Sequence, residues 1–268
     1  MATLPPQGSE IHEHRQIAES FGSDAERYDR TRPHYPDQMI ERITASSSGS
    51  DLLCAGCGTG IDARQFAAAG MTVLGVEPDE RMADFARSTG IEVEVSAFEH
   101  WEPRGRLFDV VAAGQAWHWI DPVKGASKAS EVLKPGGRLA AFWNVHHLPQ
   151  TVSDAFSEVF RRVVPESPFN APSADARGGY SLFISRASEG VEIAGGFTDP
   201  QQWRFDWEKV YSKNEWLEQL PTQGTLTRAS SEQVERISDA VGAAIDELGG
   251  SFTIGYTTEL FTAVKSAD

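Results

Sequence analysis

The chain has 268 residues, 40% of them hydrophobic and 24% charged, with a formal net charge of −15. That length suits one large domain or one domain carrying a cap. The acidity argues against nucleic acid or an anionic membrane as partner, since both call for clustered Lys and Arg. No apolar run approaches the roughly 20 residues that span a bilayer, and two cysteines imply no secreted disulfide framework. A cytoplasmic enzyme is therefore expected, with monomer or homodimer left open.

Residues 1–10 are polar, carry Pro5, Pro6 and Gly8, and read as a flexible tail without the basic and apolar regions of a signal peptide. Residues 11–45 read as helix, loop, helix, with Thr31 to Asp37 extended because Pro33 and Pro36 disfavour helical backbone before them. Ser46 to Ser50 is a short joint. From Asp51 strands and helices alternate. Leu52–Ala55, Thr72–Val76, Ile91–Val95, Phe108–Ala113 and Arg138–Trp143 read as strands. Ile61–Ala69, Asp79–Thr89 and Pro122–Leu133 read as helices, the last capped by Asp121. Lys134-Pro135-Gly136-Gly137 reads as a turn. That alternation predicts a parallel sheet with helical crossovers, and near-continuous apolar strands fit burial on both faces.

Beyond Trp143 the rhythm breaks. Ser153–Val164 reads as a helix, Pro165–Pro172 as a loop, and Ala174–Glu189 is left open because Gly178-Gly179 interrupts a helical pattern. Gln202–Tyr211 reads as a strand with Trp203, Phe205 and Trp207 on one face. Ser212 and Glu215 make a capping box. Ser230–Leu248 reads as a helix and Ser251–Val264 as a strand. Residues of about 145–200 are expected to form an insertion that shapes a substrate pocket.

The loop Ala55-Gly56-Cys57-Gly58-Thr59-Gly60 lies between a strand and a helix. Glycines there let the backbone come close to a ligand, and the helix start adds N–H donors. The third glycine arrives one residue earlier than in the dinucleotide pattern G-x-G-x-x-G. Glu77, 21 residues after Gly56, is placed to accept hydrogen bonds from both ribose hydroxyls. Together these point to an adenosine-containing cofactor. Cys54 and Cys57 form a C-x-x-C, but it straddles a buried strand and the loop, so coincidence is favoured over redox chemistry, and no metal is expected.

Leu53-Cys54-Ala55-Gly56-Cys57-Gly58-Thr59-Gly60, Gly75-Val76-Glu77-Pro78, Phe108-Asp109-Val110-Val111 and Leu133-Lys134-Pro135-Gly136-Gly137 resemble, in order, the motifs of class I S-adenosylmethionine-dependent methyltransferases. The resemblance implies an α/β fold: a Rossmann-like, doubly wound, seven-stranded, mostly parallel sheet with an antiparallel last strand. An N-terminal helical cap (11–45) would cover the cofactor of a methyltransferase domain (46–268). It implies that Gly56, Cys57, Gly58 and Gly60 line the cofactor, that Glu77 and Pro78 hold the ribose, that Ala97 and Phe98 flank adenine, and that Gln115 and Ala116 lie near the methionine end. Cys54 stands where that family usually has an acid. Asp51 is too early in the strand to replace it.

The run Gln115-Ala116-Trp117-His118-Trp119, with Tyr28-Asp29-Arg30-Thr31-Arg32-Pro33-His34-Tyr35-Pro36, is similar to the subgroup labelled trans-aconitate-methyltransferase-like. That subgroup implies small carboxylic acids or other small molecules as methyl acceptors, with Tyr28 and Arg32 touching the cofactor or a substrate carboxylate. His118 is the candidate base or substrate orienter. Trp117, Trp119, Tyr35, Trp143 and His146 are candidates to line the substrate. An acceptor oxygen of a carboxylic acid or phenol is expected. The competing readings are a nicotinamide-dependent oxidoreductase, for which no Tyr-x-x-x-Lys is found, and a non-catalytic module that binds an adenosine cofactor.

Overall fold

The computed structural model describes His12, residues 18–165 and residues 177–267. The tail read at 1–10 and most of the loop read at 165–172 lie outside them. Among the described residues no helix is long and apolar enough to cross a membrane.

The seven strands are β1 (Asp51–Ala55), β2 (Thr72–Glu77), β3 (Glu92–Val95), β4 (Phe108–Gly114), β5 (Leu133–His147), β6 (Phe197–Ser212) and β7 (Ser251–Lys265). They form one sheet in the order β3-β2-β1-β4-β5-β7-β6, the last strands antiparallel. The α/β class and the seven-stranded sheet expected from the sequence are thus present. β1 pairs in parallel with β2 and with β4, placing Cys54 opposite Gly75 on one side and Ala112 on the other. The strand order reverses at β1 and β4. At such a switch point the loops leaving the two strands diverge and open a crevice for a ligand.

The chain divides into two compact units. The larger comprises the described residues of His34–Asn144, Ser181–Phe205 and Thr258–Asp268. Its core holds Leu52, Val110, Ala112, Ala140 and Phe142 from the strands, and Met39, Ile43, Ala63, Phe66, Ala83 and Ala86 from helices α2 (Asp37–Ala45), α3 (Ile61–Ala68) and α4 (Glu80–Ser88); α5 (Pro122–Val132) belongs to the same unit. These apolar residues recur every three or four positions, so each helix presents one stripe to the sheet. Trp203 and Phe205 join this core, as their alternation predicts. At the amino ends of the strands Lys134 Nζ donates to Asp51 and Asp109, 2.8 Å from each, and the Asp51 amide also donates to Asp109. Asp109 therefore ties strands together, away from the crevice.

The second unit comprises the described residues of Met1–Pro33, Val145–Tyr180 and Asp206–Thr257. Helices α1 (Ala25–Thr31), α6 (Gln150–Val163), α8 (Lys213–Gln219) and α9 (Ser231–Glu247) belong to it. Phe156, Phe160, Tyr211, Trp216, Ile237, Val241 and Phe252 pack its core. Ser212 caps α8 and Ser230 caps α9, each in a reciprocal box with Glu215 or Gln233.

Three sequence expectations change. β5 starts at Leu133, not Arg138: Leu133 already pairs with Phe108, and the Lys134–Gly137 segment is absorbed as an irregularity in the register instead of closing a separate turn. Asn144, His146 and His147 continue this strand instead of following it. Residues 177–194 form a single helix, α7 (Arg177–Ala194), despite Gly178-Gly179. A further glycine of α7, Gly190, lies against Pro122, whose carbonyl oxygen would stand 2.2 Å from any Cβ at 190. Close helix approach of this kind outweighs a weak intrinsic propensity.

Candidate functional site at the switch point of the sheet

β1 delivers the glycine loop to the crevice. Gly56, Gly58 and Gly60 all have positive φ, at 66°, 55° and 85°, a region that costs a side chain of L chirality. The three do different work. A Cβ on Gly56 would stand 2.7 Å from the Cβ of Ala116, so Gly56 is glycine because the β1 and β4 loops touch there. Gly60 is the left-handed residue that starts α3, packed toward Ala86 and Ile91. Gly58 alone is open: the single atom near its missing Cβ is Met82 Cε, at 4.0 Å. It is the glycine whose surface a ligand can approach.

Glu77 ends β2 and is buried. One carboxylate oxygen accepts from the Gly58 amide at 2.8 Å, the other from the Asp79 amide at 3.0 Å. The loop and the strand end are thus joined through a carboxylate whose remaining lone pairs can accept from two further donors, as a pair of vicinal hydroxyls would supply. Burial pushes its pKa up to about 7, against the pull of these amide bonds and with the charges of Asp79 and Asp62 adding to the rise. Pro78 is exposed. Cys57 is buried and stacks its thiol over Gly75, where a Cβ would come within 2.6 Å of Sγ. Only the backbone of Cys57 is left to face a ligand. Burial first, and nearby carboxylates second, push both cysteine thiols well up, so neither is a thiolate nucleophile.

Ala97 caps a short 3₁₀ turn at Phe98–His100 and is half-buried; Phe98 is buried, its ring 6.1 Å from that of Trp117. Past β4, Gln115 adopts a positive φ of 55° without being glycine. Its amide donates to Phe142 at 2.8 Å and its side chain to the Asn144 carbonyl at 3.4 Å. That left-handed turn redirects the chain out of the strand, strain of a kind that clusters at ligand sites.

The aromatic residues after β4 and in β5 interlock. Trp143 is fully buried and donates from Nε1 to His118 Nδ1 at 3.1 Å. His118 stacks on Phe183 of α7, with centroids 4.4 Å apart and planes 3° from parallel, and lies 4.8 Å from the Trp119 ring. His118 and Trp119 keep partly accessible edges, whereas Trp117 is buried beside Gly125. Enclosure lowers the His118 pKa to about 3, so at pH 7 the ring is neutral. With Nδ1 accepting from Trp143, the ring proton sits on Nε2. Tyr35 is buried, its backbone paired with the Gln65 side chain and its ring edge-on to Phe142 at 4.7 Å.

Three of the sequence-predicted residues belong to the second unit. Arg32 lies over the Tyr28 ring, 4.9 Å from its centroid, and donates to the Thr222 carbonyl. His146 is buried, 6.1 Å from the ring of Tyr256, and desolvation holds its pKa well below the usual value.

One buried carboxylate of the larger unit was not singled out from the sequence. Asp62, in the first turn of α3, receives the Cys54 thiol at 3.3 and 3.4 Å, the Ala63 amide at 2.8 Å and a bond from the Gly114 backbone. Its signal in the sequence is an acid two residues after the last loop glycine, where a helix start favours negative charge.

With this geometry in view, the similarities to known proteins gain meaning. Leu53 to Ala141 match the family model described as a methyltransferase domain. An uncharacterised methyltransferase of Mycobacterium tuberculosis is 33% identical over 132 residues, which are 48% of this chain and 54% of that protein. The chain thus spans about half the length of the curated relatives it matches first. A proposed type II methyltransferase from Anaeromyxobacter dehalogenans has a similar fold, with a TM-score of 0.62 at 19% identity over 86% of this chain and 97% of its own. Phosphoethanolamine N-methyltransferase 2 of Haemonchus contortus, solved in complex with S-adenosyl-L-methionine, gives a TM-score of 0.53 at 18% identity over 97% of this chain and 61% of its own.

Proposed function

We propose that the chain is an S-adenosylmethionine-dependent methyltransferase that transfers a methyl group to an oxygen of a small acid or phenol. The observation that carries this reading is Glu77: a buried carboxylate at the end of β2, bonded to the amide of Gly58, the one loop glycine with open space beside it. An adenosine ribose offers two adjacent hydroxyl donors to such a carboxylate. The same donor set fits the rest of the cofactor. The loop leaves no side chain at Gly58, Ala97 and Phe98 follow β3 where adenine is expected, and Gln115 turns out of β4 toward the crevice. The methyltransferase domain match over the same residues supports the choice of a sulfonium over a dinucleotide.

Bound there, the sulfonium supplies an electrophilic methyl group. The residues of the chain have to align the acceptor and keep water away. His118 acts as a donor in this reading. A neutral imidazole whose Nδ1 is engaged by Trp143 presents an Nε2–H, which orients an oxygen by hydrogen bonding but does not remove a proton from it. A carboxylate acceptor needs no base because it is already ionised, so the carboxylic acid is favoured over the phenol. Trp119, beside His118, supplies an apolar wall.

Calorimetric titration with S-adenosylmethionine, S-adenosylhomocysteine and NAD tests the cofactor. Binding of both sulfur compounds and none of NAD is expected. Folded protein that ignores the sulfur compounds sinks the proposal. A panel of small carboxylates and phenols, assayed for methylated product, separates an enzyme from a module that only binds.

A further inference from the structure

Cys54 occupies the strand position at which the resembled family carries an acid. The structure has a carboxylate next to it all the same. Asp62 reaches back from the first turn of α3 until its oxygens lie 3.3 and 3.4 Å from Cys54 Sγ. One of those oxygens lies 2.7 Å from the point where a Cβ on Gly114 would sit, and the Tyr35 hydroxyl lies 2.8 Å from that point. Gly114 is the last residue of β4. The carboxylate is therefore at the switch point, between the ends of β1 and β4, and Gly114 lacks a side chain where these groups converge.

Its described partners are the Cys54 thiol and the backbone of Asp62 itself, Ala63 and Gly114; none is a cation. A buried carboxylate without a counter-charge is costly, and burial accordingly raises the pKa of Asp62 to about 6. The start of α3 offsets part of that cost. A tie between strands alone is within reach of a neutral amide, so a carboxylate at this position calls for a cation.

We propose that Asp62 is the acid of the cofactor site, moved from the strand to the helix, and that it pairs with the ammonium of the methionine portion of the cofactor. This rests on the cofactor reading above. Cys54 serves as positioning residue: its thiol donates to the carboxylate and holds it toward the crevice.

The test compares two ligands that share adenosine and a thioether. S-adenosylhomocysteine carries the ammonium; methylthioadenosine lacks the whole amino-acid end. Calorimetry on the full chain should show Asp62→Asn weakening S-adenosylhomocysteine about ten- to hundredfold, the range for a charged hydrogen bond, with methylthioadenosine within about twofold of wild type. Retained methylthioadenosine binding also reports an intact fold. The double variant Cys54→Asp with Asp62→Asn should recover most of the lost affinity by putting the acid back on the strand.

Wild-type protein supplies a second readout. The ratio of the two affinities should fall as pH drops through about 6, when Asp62 takes up a proton. The titratable groups facing Asp62 are Cys54, Cys57, Glu77 and Tyr35. The thiols stay neutral across that range, and Glu77, at the ribose, affects both ligands and cancels in the ratio. Equal loss of both ligands in Asp62→Asn, or no loss of either, overturns the assignment. Wild-type protein that binds neither ligand overturns the cofactor reading and this inference with it.

Discussion

Two ends of the same sheet crevice are built on opposite principles. From the end of β2 to the end of β1 the groups proposed for the cofactor are backbone amides and two buried carboxylates, Glu77 and Asp62, both pushed toward neutral pH by burial. At the β4–β5 end they are aromatic rings and a neutral histidine, already bonded and stacked among themselves. The first end has polar capacity left for a ligand. The second is a finished surface offering shape, apolar contact and one N–H. A fixed, polar cofactor suits the first and a smaller, partly apolar acceptor the second.

The comparison breaks most visibly at the two glycines of the loop. Gly56→Val places a side chain on Ala116 at a positive φ and should cost about 3 kcal/mol or more in urea unfolding, from overpacking and backbone strain together. Gly58→Ala should cost only about 1 kcal/mol, since the space is open and the strain is that of φ alone, yet it should abolish measurable binding of S-adenosylhomocysteine. If the two variants lose stability equally, the division of labour within the loop is wrong.

Glu77 gives the next effect. Its folded pKa of about 7 lies above the ordinary 4.5. Burial costs nothing while the group is protonated, so its contribution to stability is full below about pH 4.5 and is lost as pH rises through 7. Glu77→Gln removes that loss. The stability gap between wild type and variant should shift in favour of the variant by on the order of 2 kcal/mol between pH 5 and pH 8, while cofactor affinity falls at both. His118 has the opposite sign. With a folded value near 3 against 6.5, its contribution is present above pH 6.5 and lost as pH falls toward 3.

The smallest effect is expected at the aromatic end. Trp143→Phe leaves the ring system packed but removes the donor to His118, for about 1 kcal/mol of stability. It also frees Nδ1, so that the imidazole changes tautomer readily. Nitrogen chemical shifts of His118 before and after the substitution would show whether Trp143 sets the tautomer.

Much of this arrangement was legible in the sequence because it depends on local patterns. The glycine loop, the acid ending β2, the Asp121 cap with Pro122 and the Ser212–Glu215 capping box are short motifs, each with its own geometry. Asp62 escaped notice because an acid in the first turn of a helix usually faces water. Its burial is set by Gly114 on a strand 52 positions later, and no local pattern encodes that. The length of β5 was hidden for a related reason: Lys134-Pro135-Gly136-Gly137 has the composition of a turn, and only pairing with β4 keeps it in the sheet. In α7 the paired glycines suggested a break, whereas tight packing at Gly190 shows that glycine can serve the helix's surroundings.

In the second unit, Ser20 bonds to Thr227, Arg30 to Glu218 and Arg32 to Thr222. Those partners are separated by 207, 188 and 190 positions. During synthesis Ser20, Arg30 and Arg32 therefore precede these partners by about two hundred positions. Closing loops that long carries an entropic cost before any contact repays it. These three bonds therefore form late, and an arrested nascent chain that stops near residue 200 would lack the partners that hold Ser20, Arg30 and Arg32.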